Sequence, residues 1–151
     1  MEQGDASNPV WLILGILVGF VVVFPLFWCG VVALLGFVGG WRSLAKHYRA
    51  GNRPVSGIRA NPARSMIGFV SYRNIIAIHF TPEGFFLETM PLFRVGHPRL
   101  FIPWADVVGR KRTRWFFYTS ESLLIGDPKV GLITLPAKLM DAHGPSPAQS
   151  E

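Results

Sequence analysis

The densest run of chemistry-bearing residues in this 151-residue chain is Arg110-Lys111-Arg112-Thr113-Arg114, followed at once by Trp115-Phe116-Phe117-Tyr118. Guanidinium groups make charge-assisted, often paired, hydrogen bonds to phosphate and carboxylate. Aromatic rings beside them add stacking and apolar contact. Three ligands fit that combination: anionic lipid headgroups, an acidic protein partner and nucleic acid. On a strand, Arg110, Arg112 and Arg114 share one face and Lys111 takes the other. The plainest reading is a solvated strand face whose aromatics belong to the core. A second basic group, Arg42, Lys46 and Arg49, opens a stretch (42–64) that holds six basic residues and no acid. Near an anionic surface each such residue is worth about 1 kcal/mol. An ordinary topology signal accounts for it equally well.

Catalytic chemistry has less to stand on. The four histidines are His47, His79, His97 and His143, and none is spaced from another His, a Cys or an acid as in a metal site. His97 lies in Arg94-Val95-Gly96-His97-Pro98, which reads as an exposed loop, so it is the best-placed candidate for proton transfer. The carboxylates Glu83, Glu88, Asp106, Glu121, Asp127 and Asp141 form no local acid–base pair. Nucleophile elbows, phosphate-binding glycine loops and dinucleotide fingerprints are missing from the sequence. No catalytic residue, metal or cofactor is therefore assigned. Cys29, the single cysteine, cannot form an internal disulfide or a cysteine-rich zinc site.

The elements that position these groups follow from uneven composition. Half of the chain is apolar, 16% is charged, and the net charge is +6. Residues 10–41 carry no charge, and all 15 Lys and Arg lie beyond them. That pattern excludes a disordered chain, a disulfide scaffold and a simple soluble enzyme. The 32-residue apolar run predicts one transmembrane helix. As straight helix it would span roughly 48 Å, against roughly 30 Å of hydrocarbon. Trp11 and Trp41 suggest an explanation: each sits at one headgroup boundary of a tilted pass kinked near Pro25. The rival is a shallow hairpin turning at Pro25, which would expose backbone polar groups to lipid. A cleaved signal peptide fits poorly, because no Lys or Arg precedes the run and the run is too long. Arg42, Lys46, Arg49, Arg53 and Arg59 follow it closely, so the large C-terminal part is expected to be cytoplasmic. Gly15 with Gly19, and Gly36 with Gly40, match the small-xxx-small spacing of paired membrane helices, which suggests a homodimer.

Trp41, Leu44, Ala45 and Tyr48 form one helical stripe, read as a continuation of the helix into the headgroup layer. Gly51 and Pro54 stop it. Short β-type runs then follow at 65–72, 75–80, 85–89, 100–102, 112–119, 123–125 and 131–135. A short helix is expected at 136–141. The organisation is therefore a short extracytoplasmic tail (1–9), a transmembrane helix (10–41), a basic juxtamembrane helix and linker (42–53), a β-rich domain (54–143) and a disordered tail (144–151). The fold class is α+β, with the β-rich domain an antiparallel sandwich or open barrel.

Within that domain, Thr81-Pro82-Glu83-Gly84-Phe85 leads to Ile102-Pro103-Trp104-Ala105-Asp106-Val107. Over about 60 residues this resembles bacterial pleckstrin-homology-like and GRAM-like domains. The resemblance implies a binding or scaffolding module. In physical terms, Pro103 ends a strand for want of an N–H, Trp104 plugs one end of the core, and Asp106 braces the next turn.

The reading is a single-pass protein, expected in a bacterial inner membrane on its excess of Arg over Lys and on the resemblance. Its domain would bind a membrane-protein partner, an anionic lipid surface or both, through Arg42, Lys46, Arg49, Arg110, Arg112 and Arg114. The membrane anchor argues against nucleic acid. The alternatives are a membrane-bound enzyme with a site at 94–98, or an accessory subunit of a larger membrane complex.

Overall fold

The computed structural model describes residues 9–145, so most of both expected tails lies outside the described residues. Helix α1 spans Pro9–Val38 and passes through Pro25 without a break, so the shallow hairpin is not formed. It is long and apolar enough to cross a membrane. It ends at Gly39-Gly40, where Gly40 takes φ 83°, a left-handed conformation that costs glycine little. Helix α2, Trp41–Tyr48, starts immediately after this turn.

Trp41 therefore does not mark a bilayer boundary. Its side chain has no exposed surface and belongs to the domain core, as does Leu44. Ala45 and Tyr48 pack against the same core. The apolar stripe is real, but it faces protein rather than headgroups. Burying a large aromatic beside the β-sheets removes more apolar area from water than an interfacial position would. The core thus crosses the expected 53/54 boundary, and α2 is part of the domain.

Nine strands follow: β1 Ile58–Ala60, β2 Ser65–Ile67, β3 Val70–Tyr72, β4 Ile76–Phe80, β5 Gly84–Thr89, β6 Leu100–Pro103, β7 Val107–Trp115, β8 Tyr118–Ile125 and β9 Gly131–Pro136. Helix α3, Ala137–His143, closes the fold. The strands form two antiparallel sheets, ordered β1-β4-β5-β6 and β3-β2-β9-β8-β7. Alternation places Ile76, Ile78 and Phe80 of the first sheet inward, with Ile67, Leu123, Ile125, Ile133 and Leu135 of the second. The fold is α+β, as composition and pattern predict.

Two expected strands are hairpins instead. Segment 65–72 folds back at Gly68-Phe69, with Gly68 at φ 57°. Segment 112–119 contains the turn between β7 and β8, where Trp115 pairs with Tyr118 across Phe116-Phe117. That turn has no Gly, Asn or Pro to announce it. Pro103 ends β6. Trp104 lies against Phe85 at 5.0 Å between ring centroids and donates its indole N–H to the Thr81 carbonyl at 3.0 Å. The backbone carbonyl of Asp106 accepts from Gly126 at 2.9 Å.

Candidate functional site

Two groups of side chains stand out, one at the join of α1 to the domain and one at the β7–β8 hairpin. At the join, glycines remove the side chains that would keep backbones apart. A Cβ on Gly36 would sit 2.9 Å from the Gly96 carbonyl oxygen and 2.9 Å from Cε1 of His97. A Cβ on Gly96 would lie 3.0 Å from the Cα of Ala33. Higher on the helix, Trp28 meets Phe93 edge-on at 5.8 Å. Residues 28–36 of α1 thus carry the loop that follows β5. Gly36 and Gly40 serve this join, whereas Gly15 and Gly19 face open space.

His97 is at the centre of the join and is 2% exposed, although Arg94, Val95 and Gly96 before it are exposed as the sequence suggests. Its ring packs edge-on against Trp41 at 5.1 Å and Tyr72 at 5.7 Å. Nδ1 lies 3.1 Å from the Val95 carbonyl, which can only accept, so Nδ1 carries the proton. Nε2 then accepts from the Tyr72 hydroxyl at 3.0 Å. Burial lowers the His97 pKa, and hydrogen bonds to the Val95 and Phe93 backbone partly offset it. Burial pushes the Tyr72 hydroxyl up to about 12. A neutral, doubly bonded, enclosed imidazole is a structural group, which removes the basis for a catalytic site at 94–98.

At the hairpin, the expected row of three arginines is present on one face, the face shared with Glu121, and its exposure rises from Arg110 towards Arg114. Glu121 is opposite Arg112 in register and is 3% exposed. It accepts from Arg110 Nε at 2.5 Å and from Arg112 at 2.9 Å. Arg112 also pairs with Asp141 of α3, and Arg110 donates to the Pro145 carbonyl at 3.1 Å. Bonds from Glu121 and Asp141 raise the Arg112 pKa. Two of the three arginines therefore fasten β7 to β8 and α3. Arg114 is exposed with no ion pair among the described residues, and Lys111 is exposed on the opposite face.

Past Arg114 the hairpin carries exposed aromatic groups. Trp115, Phe116 and Phe117 are 72%, 80% and 105% exposed. Phe116 takes φ 48°, a left-handed conformation that is unfavourable for a bulky residue.

No family model, curated protein or solved structure matches the chain.

Arg42, Lys46 and Arg49 lie on the exposed side of α2, and Arg42 stacks on Phe37 at 5.4 Å. They are well separated from the hairpin, so the structure does not gather the six expected contact residues into one patch. Of the remaining histidines, His47 is exposed, His79 is half-buried in β4, and His143 packs on Phe80 at 5.3 Å. Among the described residues, no cluster of His, Cys, Asp and Glu could hold a metal.

The role of Glu121 is readable in the sequence. It shares strand parity with Leu123 and Ile125, which places it inward and obliges it to find cations. The glycine join was not readable, because Gly36 and Gly96 are 60 residues apart.

Proposed function

We propose that the chain is a single-pass membrane protein whose C-terminal domain is cytoplasmic and acts as an interaction module. The basic residues that follow α1 support this orientation. The β7–β8 hairpin is its contact element, and the partner is an acidic, partly apolar surface on another membrane protein. The carrying observation is the hairpin tip. Three large aromatics stand in solvent beside Arg114, which has no ion pair among the described residues, and one of them keeps an unfavourable backbone conformation. A hairpin optimised for stability alone would have Asn or Gly at that position. Exposed aromatic and Arg side chains are the residue types that dominate interface energetics.

The base of the hairpin supports the same reading. The Arg110–Glu121–Arg112 ion pairs hold it against α3, so the tip is presented without being ordered on binding. The glycine join fixes the domain to α1, which confines any partner search to the membrane plane and raises effective concentration. The resemblance to pleckstrin-homology-like domains is consistent with a binding role, by analogy only.

A second reading is an anionic lipid surface, favoured by the Trp, Phe and Tyr content next to cations. The full chain in lipid nanodiscs separates the two. A fluorescent probe at Phe117→Cys, in a Cys29→Ser background, should stay in water on neutral and anionic discs if the partner is protein. In cells, a photo-crosslinker at Phe117 should then give a discrete adduct that a crosslinker at Thr134 does not. A blue-shifted probe on anionic discs alone would favour lipid. Neither an adduct nor a shift would overturn the module reading.

A further inference from the structure

The apolar residues at the opposite end of the domain point to a second contact. The loop at 90–97 leaves Met90, Leu92 and Val95 exposed, Leu92 by 66%. Phe69, at the tip between β2 and β3, is 88% exposed. Both segments flank α1. A Cβ on Gly68 would lie 2.3 Å from the Gly39 carbonyl, and Phe93 of the loop lies against Trp28. Phe37, Leu34 and Val38 of α1 are themselves exposed beside them. The apolar surface is therefore continuous from the helix onto the domain.

Length arithmetic locates this rim. Residues 9–27 are exposed all round and make roughly 28 Å of helix, close to the thickness of the hydrocarbon layer. Trp28 is therefore level with the near edge of that layer, and so is Phe93, which it touches. The remaining ten residues of α1 add roughly 15 Å, which is more than one headgroup layer. The length of α1 in excess of the hydrocarbon layer is thus the part that carries the loop.

We infer that the 90–97 loop is immersed in the headgroup layer of the bilayer that α1 crosses, so that the domain is seated in the membrane surface and not suspended from it by a tether. The inference rests on α1 being a membrane span. A seated domain has a fixed orientation. The β7–β8 tip, seven residues along β8 from Leu124 at the α1 end of the sheet, stands roughly 23 Å further along the strand.

Nitroxide labels on single cysteines test this in the full chain, with Cys29→Ser as background, in neutral nanodiscs. Leu92→Cys and Val95→Cys are the test positions, Phe20→Cys reports the helix, and Lys138→Cys reports the far side of the domain. Labels at 92, 95 and 20 should collide more with oxygen than with a water-soluble nickel chelate, and the label at 138 should do the reverse. Nickel-favoured collisions at 92 and 95, with 20 still oxygen-favoured, would overturn the seating and leave the anchor standing. Nickel-favoured collisions at 20 would overturn the anchor itself. All four side chains are at the surface or in open helix, so labelling leaves the core intact.

Discussion

The Tyr72 hydroxyl donates to Nε2 of His97 at 3.0 Å, where α1, α2 and the second sheet meet. The pair is sealed by Trp41, whose own indole N–H donates to the Pro98 carbonyl at 2.9 Å. Removing the hydroxyl with Tyr72→Phe leaves a buried acceptor unpaired, which costs about 1–3 kcal/mol. Thermal unfolding of the full chain in nanodiscs should show a clear drop in Tm. An unchanged Tm would mean that water reaches Nε2.

The same pair makes stability depend on pH. The folded state lowers the His97 pKa below its ordinary 6.5, so the unfolded chain binds that proton more readily. The contribution is complete above about 6.5 and is lost as pH falls from there through the depressed folded value. Tm should therefore fall as pH drops below about 6.5, and His97→Gln should flatten the slope. An identical slope in the variant would place the titration elsewhere.

Much of this architecture was legible. The uncharged run from 10 to 41 marks α1, and the alternation in β4 matches its inward face. What failed was the assignment of partners. The stripe of Trp41, Leu44, Ala45 and Tyr48 was seen as apolar, but periodicity states only that a face is covered, not by what. Lipid and a β-sheet both satisfy it. His97 reads as an exposed residue because its neighbours are Gly96 and Pro98, and most of the loop is exposed, but Gly36 of a helix far away in sequence and Trp41 cover the ring itself. The shared face of Arg110, Arg112 and Arg114 follows from parity, and the ion pairs of the first two depend on Glu121, across a turn lacking turn residues.

Gly36 and Gly15 make a matched comparison. Both are helical glycines in an apolar sequence, but only Gly36 has a neighbouring backbone at contact distance. Gly36→Val should force the 90–97 loop off α1 at a cost of about 1–3 kcal/mol. Gly15→Val should leave the domain unaffected. Tryptic cleavage after Arg94 reads the difference, faster in the first variant and unchanged in the second.

Glu121 holds two arginines from a position 3% exposed. Glu121→Gln should destabilise the domain by about 3 kcal/mol, since it leaves Arg110 largely buried without its anion. Arg114→Gln, on an exposed side chain with no such partner, should change stability by less than about 0.5 kcal/mol. Equal effects of the two substitutions on Tm would contradict the ion-pair geometry.

Phe116 separates stability from function most sharply. Its side chain is 80% exposed and its φ is 48°, so it contributes little burial and holds an unfavourable backbone. Asn tolerates that conformation and suits a two-residue hairpin turn. Phe116→Asn should therefore stabilise the domain by about 1 kcal/mol, the relief of one left-handed bulky residue. If the tip is the contact element, the same substitution should abolish the crosslinked adduct formed from Phe117. Higher Tm with loss of the adduct is the signature of a residue kept for contact at the expense of stability. Higher Tm with the adduct intact would shift the contact to Trp115 and Arg114, and a lower Tm would mean that the Phe116 ring is packed in the protein.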